Sequence, residues 1–258
     1  MRNMLAIAGK ELRAYFHSPI AYLVMTVWTA LAGLIFYLSL YAYITYSLRM
    51  EGMGGMGQQM PTLNDMIVRG MLQGFLMVVL LFMIPLITMR LYSEEKRAGT
   101  IELLLTSPLT DMEIILGKFL GALTLYLSLV ALVFVYIALL FVYGNPNAKP
   151  LLANGVGLVL YGAALLALGM WISTFTKNQI IAGVVSMAAF LVLYVINWPS
   201  ELSDNAVTRV FGYIAISTHI ENFSKGVIQL SDVVYYFSVI ILGIFFTARS
   251  VEALKGRP

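Results

Sequence analysis

The chain has 258 residues, of which 60% are hydrophobic and only 11% are charged, and its mean hydropathy is +0.86. Soluble domains carry about 25% charged residues, so this composition excludes a soluble protein and indicates an integral membrane protein. The net charge of +3 is too small and too scattered for nucleic-acid binding but suits contact with membrane lipid, and the lack of cysteine excludes disulfides and thiolate chemistry.

The apolar pattern predicts an all-α fold in which residues 1–258 form one transmembrane domain. A span needs about 20 apolar residues. Six stretches of about this length occur, at 20–46, 71–89, 117–142, 151–175, 180–197 and 233–248. The remaining residues are too few for a separate soluble domain.

Residues 1–19 predict an amphipathic helix ahead of the first span. Its apolar side carries Met1, Met4, Leu5, Ala8, Leu12, Tyr15 and Phe16. Ser18-Pro19 then turns the chain into the bilayer. We expect this helix to lie on the membrane surface. The alternative is a helix outside the membrane that packs on its own bundle.

The loop after the first span is rich in methionine and glycine. Its methionines recur at helical spacing, as Met50, Met53, Met56 and Met60. Thioether sulfurs are soft ligands that could hold Cu(I). The alternative is a flexible low-complexity loop without a metal.

Residues 90–118, here called the charged segment, form the longest charged interruption of the apolar pattern, with nine charged residues. Pro85 lies just before it and lacks a backbone N–H, so we expect a kink or flexible point there. Gly99 should end the preceding helix, and Thr100 should cap a two-turn helix over Ile101–Thr106. Ser107-Pro108 should end that helix.

The third predicted helix begins at the end of the charged segment. Thr110 and Glu113 have the T-x-x-E spacing of a capping box. Gly117 and Gly121 follow with the G-x-x-x-G spacing that permits close helix approach. We therefore expect a packing surface where this helix enters the membrane.

The charged segment also contains three consecutive leucines, Leu103, Leu104 and Leu105. A short amphipathic helix with exposed leucines usually has a partner, such as a groove on a soluble protein. The alternatives are a helix resting on the membrane surface and a merely solvated charged loop.

The distribution of lysine and arginine between the loops predicts the orientation of the chain in the membrane. With six spans, 11 of these residues fall on the side of the charged segment and both termini, and 5 fall on the other side. The positive-inside rule then puts the charged segment and both termini in the cytoplasm. Residues 200–232 would lie outside, and their apolar pieces are too short to cross, so we expect interfacial or re-entrant helices.

The sequence offers no catalytic site. Gly117-Lys118 lacks the remainder of a phosphate-binding loop, since Phe119 follows it. His17 and His219 fall on opposite sides, and we interpret His219 as a loop or cap residue. No ionisable residue lies in the middle of a span, which argues against an ion-coupled carrier. Energy for any transport would therefore have to come from outside the membrane.

The stretch SEEKRAGTIELLLTSPLTDMEIILGKFLG resembles the cytoplasmic loop of type-2 ATP-binding-cassette (ABC) exporter permeases, with its E-E/K-x-x-G-T-x-E-L-L-L-x-x-P core. The stretch HIENFSKGVIQLSDVVYYFS is similar to the extracytoplasmic helices of that family. The most similar sub-group is that of permeases associated with gliding motility or with maturation of nitrous oxide reductase.

This resemblance implies a multi-pass protein of the bacterial cytoplasmic (inner) membrane, with a coupling helix that docks on an ABC ATPase subunit. It also implies a dimer with a second, identical or related permease. ATP and Mg²⁺ would bind the ATPase, and this chain would bind no cofactor. The positions implied to contact the ATPase or shape the loop are Glu94, Glu95, Gly99, Thr100, Glu102, Leu103 and Leu104.

Two functional hypotheses follow. In the first, the chain is the permease of an ABC exporter and has no chemistry of its own. In the second, it is a mechanical or scaffolding subunit that passes ATPase motion to an extracytoplasmic partner docked on residues 200–232, without moving a substrate. An intramembrane enzyme is excluded by the lack of paired catalytic side chains within the spans.

Overall fold

A computed structural model describes residues 2–52, 62–105, 108–144, 146–199 and 205–255. These residues form helices and connecting turns with no strand, so the all-α prediction is confirmed for them. The helices are α1 (Arg2–His17), α2 (Pro19–Gly52), a π-helical segment (Asn64–Phe75) that continues as α3 (Leu76–Thr88), α4 (Ser93–Ala98), α5 (Ile101–Leu105), α6 (Asp111–Tyr143), α7 (Ala148–Ser173), α8 (Gln179–Val195), α9 (Ala206–Ile214), a 3₁₀ turn (Thr218–Ile220), α10 (Glu221–Ser224) and α11 (Leu230–Lys255).

Within the described ranges, 5 helices are long and apolar enough to cross a membrane. They are α2, α3 with its continuation to Ala98, α6, α7 and α11. The sixth predicted span, 180–197, corresponds to α8, which has only 17 residues. A helix of that length rises about 26 Å, slightly less than the hydrocarbon core of a typical bilayer.

Helix α7 lies at the centre of the bundle. Its glycines let neighbouring side chains reach its backbone. A Cβ at Gly162 would lie 2.1 Å from the Tyr126 ring, and one at Gly169 would lie 2.4 Å from Thr88 Oγ1. Most of the α7 side chains are buried, so this helix packs against protein around most of its circumference.

Buried aromatic side chains tie the helices together through their polar atoms. Trp28 Nε1 donates to the Leu129 carbonyl at 2.8 Å, and the Tyr126 hydroxyl donates to the Leu158 carbonyl at 2.6 Å. An unpaired N–H or O–H in an apolar interior costs free energy, so these bonds let large polar-tipped rings fill the core.

Contacts between connecting segments define two ends of the bundle. At the proximal end, which carries the charged segment, Lys96 Nζ donates to the Thr174 carbonyl after α7. At the distal end, Asn64 Nδ2 donates to the Asn147 carbonyl at 2.8 Å, and Ile216 N donates to the Leu193 carbonyl at 3.1 Å. Helix α8 therefore runs from the proximal end to the distal end.

His219 lies in the 3₁₀ turn at the distal end, in agreement with its interpretation as a loop or cap residue. Its side chain is buried against a charged partner. Its Nδ1 lies 2.9 Å from Asp232 Oδ1, and its Nε2 lies 3.0 Å from the Tyr213 carbonyl oxygen. Asn222 Nδ2 donates to the second oxygen of Asp232 at 2.8 Å, and the Tyr235 ring stacks on the imidazole. These contacts fasten α9, the 3₁₀ turn and α10 to the start of α11.

The contact between α7 and α11 yields a test of the packing. A Cβ at Gly243 would lie 2.7 Å from the Ala167 carbonyl carbon, whereas a Cβ at Gly9 would meet no atom within 4 Å. We expect Gly243→Ala to lower the free energy of unfolding by about 1–3 kcal/mol, because backbone atoms cannot move aside. Thermal unfolding of the detergent-solubilised protein measures this change.

The matched control is Gly9→Ala, which places the same methyl group in open space on α1. Alanine is the better helix former, so this variant should be unchanged or slightly more stable, by up to about 1 kcal/mol. Equal unfolding temperatures for the two variants would contradict the close approach of α7 and α11.

Candidate functional site

The charged segment begins with α4, which ends in a left-handed glycine. Gly99 has φ +70, a conformation that residues with a Cβ rarely adopt. The N–H groups of Gly99 and Thr100 both donate to the Glu95 carbonyl, the latter at 3.1 Å. These bonds cap α4 and turn the chain sharply into the next helix.

Helix α5 presents one side to solvent. The Thr100 carbonyl accepts from Leu104 N at 3.1 Å, as expected for a residue at the N-cap position. Ile101 packs against the core and Leu104 is half-buried, while Glu102 is exposed and Leu103 is 72% exposed. The helix extends over Ile101–Leu105, and Thr106, the last residue of the predicted two-turn helix, lies outside the described residues.

Helix α6 begins with the predicted capping box. Thr110 Oγ1 accepts from Glu113 N at 3.3 Å, and Glu113 Oε2 accepts from Thr110 N at 3.1 Å. Two backbone N–H groups that the helix itself cannot pair are thereby satisfied. The direction of α6 is fixed at its first residue.

Lys118 is the buried centre of the proximal end, with only 1% of its surface exposed. Its Nζ donates to Glu11 Oε1 at 2.9 Å, to Glu95 Oε1 at 2.8 Å and to the Leu91 carbonyl at 2.8 Å. An ammonium group has three hydrogens, so all its donors are used. The ring of Tyr92 lies 5.2 Å from the same nitrogen and adds a cation–π contact.

Ion pairs with Lys118 connect three separate parts of the chain. Glu11 comes from α1, Glu95 from α4, and Lys118 from α6. Lys10 lies 3.7 Å from Glu95, so two lysines face two glutamates. The buried Lys118 ammonium is tolerated because all three of its donors are paired, and these bonds hold α1, α4 and α6 in one arrangement.

Helix α1 packs directly on α6 at the two glycines of the G-x-x-x-G spacing. A Cβ at Gly117 would lie 2.7 Å from Ile7 Cβ, and one at Gly121 would lie 2.7 Å from Glu11 Cβ. The structure thus has the arrangement given above as the alternative, a helix packed on its own bundle. Contact between the outer side of α1 and the bilayer stays a prediction.

Tyr15 anchors the far end of α1 to α3. Its hydroxyl donates to the Ile87 carbonyl at 2.8 Å, and the Arg90 guanidinium lies 5.2 Å from its ring. Burial raises the pKa of Tyr15 above its ordinary value. The hydroxyl therefore stays protonated and remains a donor.

Pro85 is buried inside α3, close to the end of that helix. Met89 N donates to the Pro85 carbonyl at 2.8 Å, so the chain continues as a helix for one further turn. Flexing at Pro85 stays a prediction, but the residue lies between the bundle core and the charged segment.

The glutamates of the predicted contact set have different environments. The Glu95 carboxylate points inward, with its side chain 13% exposed. Glu94 is 48% exposed and pairs with Arg90 at 2.8 Å. Glu95 therefore pairs inside the protein, whereas the side chains of Glu102 and Leu103 are exposed.

Sequence reasoning missed the roles of Glu11 and Lys118. Glu11 lies one turn from Ala8 and from Tyr15, on the apolar side of α1, and an acidic residue there signals a buried partner. Lys118 stands just inside an apolar helix between two glycines. Neither signal identifies the other residue.

The proposed copper ligands cannot be assembled from the described residues. Met50 lies in the last turn of α2, and Met53, Met56 and Met60 lie outside the described residues. The Cu(I) hypothesis stays a prediction.

Comparison with known proteins yields one family. Residues 5–247 match the sequence model of the family described as "ABC-2 family transporter protein". No curated protein matches the chain. The family match includes the whole charged segment and all of the helices except the first residues of α1 and the last turns of α11.

The Lys118 cluster yields a test of stability. Lys118→Met removes the ammonium and leaves Glu11 and Glu95 buried without their shared partner. We expect this variant to lower the free energy of unfolding by about 3–5 kcal/mol. Thermal unfolding measures the loss, and adding Glu95→Gln to Lys118→Met should recover part of it, because one unpaired charge is then removed.

Lys10→Met is the matched control, since it makes the same substitution at another lysine that pairs with Glu95. The Lys10 side chain is 65% exposed, so we expect a change of no more than about 1 kcal/mol. If Lys118→Met unfolds at the same temperature as Lys10→Met, the buried cluster does not hold α1, α4 and α6 together.

Proposed function

The chain belongs to the ABC-2 transporter family, which makes it a permease subunit, and we propose that it couples ATP hydrolysis by a separate ATPase subunit to export of a substrate across the membrane. The observation that carries this proposal is that the exposed helix α5 follows a helix, α4, that is held in place by buried contacts. Glu102 and Leu103 of α5 are exposed, and the preceding α4 is held by buried Lys118.

In this proposal the ATPase contacts the chain through α5. Glu102, Leu103 and Leu104 form the contact, while Glu95 and Gly99 hold the base of the loop in shape. A push on α5 passes into α4, and from there through Lys118 into α1 and α6 as one body. Such a transmission needs a rigid connection, because a soft loop would absorb the motion.

The moving body meets the membrane bundle through α3 and α6. We propose that Pro85 is the flexible point in α3, because a proline inside a helix lacks one backbone hydrogen bond. The ATPase states would then select between two arrangements of the bundle. ATP and Mg²⁺ bind the ATPase, and this chain has no catalytic residues of its own.

We propose six membrane crossings, with α8 as the fifth in chain order. Its 17 residues are close to the lower limit for a span, and its two ends contact opposite ends of the bundle. We further propose that the proximal end and both termini are cytoplasmic in a bacterial inner membrane. The excess of lysine and arginine at that end supports this orientation.

A second permease completes the proposed transporter. Helix α2 exposes Leu34, Leu38 and Leu48 along its length, and α11 exposes Ile241 and Phe245. These surfaces suit an identical or related permease as well as lipid. Within the family, we propose the sub-group associated with gliding motility or with maturation of nitrous oxide reductase, on the sequence resemblance alone.

One observation favours the second candidate function, a subunit that moves an extracytoplasmic partner. Helix α9 exposes Val207, Val210 and Tyr213 at the distal end. In this candidate the ATPase contact is the same, but the motion ends in a bound protein instead of a moved substrate.

Leu103→Ala tests the docking of α5. Because Leu103 is 72% exposed, its truncation should leave the unfolding temperature unchanged. Loss of an apolar anchor at a protein interface costs about 1–2 kcal/mol, so we expect association with the ATPase to weaken about tenfold. Co-purification with the ATPase encoded beside it and stimulation of ATP hydrolysis in proteoliposomes measure the effect.

Leu5→Ala is the matched control, a leucine on α1 that is 63% exposed at the same end of the molecule. We expect wild-type association and stimulation from it. Wild-type behaviour of both Leu103→Ala and Glu102→Ala would show that the ATPase binds elsewhere.

A further inference from the structure

A cavity of about 500 Å³ opens at the proximal end, where α4 meets the turn between α7 and α8. Its lining includes Arg97 of α4, Lys177 of the turn, and Ile180 of α8. A neighbouring cavity of about 400 Å³ shares Lys177 and is lined also by Lys96 and Phe175. The two cavities share Lys177, and together they are called the trough here.

Two cations of this trough are not paired with described residues. The side chains of Arg97 and Lys177 make no ion pair or hydrogen bond with another described residue, and both are exposed. The Lys96 ammonium donates a hydrogen bond to the Thr174 carbonyl. Glu102 is the only acidic residue among those lining the two cavities, so the trough is positive.

An apolar surface leads away from the trough along α8. Ile180 is 73% exposed at the rim, and Ile181, Val184, Val185 and Val192 continue the exposed surface toward the distal end. Ile180 and Val184 lie four residues apart, as do Ile181 and Val185, and Val192 follows Val185 after seven, so these side chains lie on one side of the helix. Phe175 adds an exposed ring on the other side of Lys177.

We propose that this trough is a binding site for an anionic phospholipid, whose phosphate lies between Arg97 and Lys177 and whose acyl chain lies along the exposed side of α8. Charge complementarity selects an anionic headgroup. The trough lies where α8 begins its path through the apolar bundle, so headgroup and chain meet their matching surfaces at the same time.

A soluble anion fits these observations less well. Inorganic phosphate would use the two cations but would leave the apolar side of α8 without a role. A phosphodiester with two acyl chains uses both surfaces. The proposal rests on α8 crossing the membrane, as proposed above, and does not depend on what the permease moves.

Native mass spectrometry of the detergent-solubilised protein tests this site. Phosphatidylglycerol and phosphatidylcholine with identical acyl chains are titrated separately, and the dissociation constant of the first bound lipid is measured. We expect the wild type to prefer phosphatidylglycerol. Arg97→Gln and Lys177→Gln should each weaken its binding about fivefold and the double variant about 25-fold, with phosphatidylcholine unaffected.

The matched control is Arg2→Gln with Arg13→Gln, which removes two exposed cations from α1 at the same end of the molecule. This double variant should bind phosphatidylglycerol like the wild type. Equal losses in the two double variants would mean only a diffuse attraction to the basic end, and would overturn the proposal. Wild-type binding by Arg97→Gln/Lys177→Gln would overturn it as well.

A competition experiment separates lipid from soluble anion. Inorganic phosphate and glycerol 3-phosphate are added to the phosphatidylglycerol complex at millimolar concentration. We expect little displacement, because neither compound has an acyl chain to lie along α8. If either compound displaced phosphatidylglycerol completely at a concentration equal to that of the lipid, the trough would be a site for a soluble anion and the lipid site would be contradicted.

Discussion

The ammonium group of Lys118 constrains the whole proximal end. A positive charge that leaves water inside an apolar helix bundle costs several kcal/mol unless every donor finds an acceptor. Here the three acceptors come from α1, from the connection after α3, and from α4. No single one of these elements can move away without leaving a buried charge incomplete. Segments that are far apart in sequence therefore behave as one body, and the exposed α5 has a firm base.

The local structure of the charged segment could be predicted because its causes are local. Gly99 ends α4 through its own backbone freedom, and Thr110 and Glu113 satisfy each other's N–H groups across a single turn. The direction of Glu95 could not be predicted. A glutamate that pairs inside the protein and a glutamate that faces solvent look the same in the sequence. Glu95 points inward because it pairs with Lys118, which lies 23 residues later.

The spans show the same division between local and distant causes. Hydropathy finds the apolar stretches, and the small residues of α7 mark it as central. Hydropathy does not find the true start of the second membrane segment, because that stretch is only half apolar. Its π-helical part begins at Asn64, well before residue 71, where the span was predicted to begin. Helix α8 begins at a local cap, because Asn178 Oδ1 accepts from Ile180 N. Near its other end the Leu193 carbonyl accepts from Ile216 N, a contact between chain segments that no sequence pattern connects.

The pairing of Glu11 with Lys118 spans 107 residues, and this separation has a consequence for biosynthesis. Glu11 leaves the ribosome long before its partner, while α2 and α3 are still to be inserted. Throughout that interval α1 has no glycine surface to dock on, because Gly117 and Gly121 belong to α6. Docking of α1 is thus a late step, which closes the proximal end only after α6 has been synthesised.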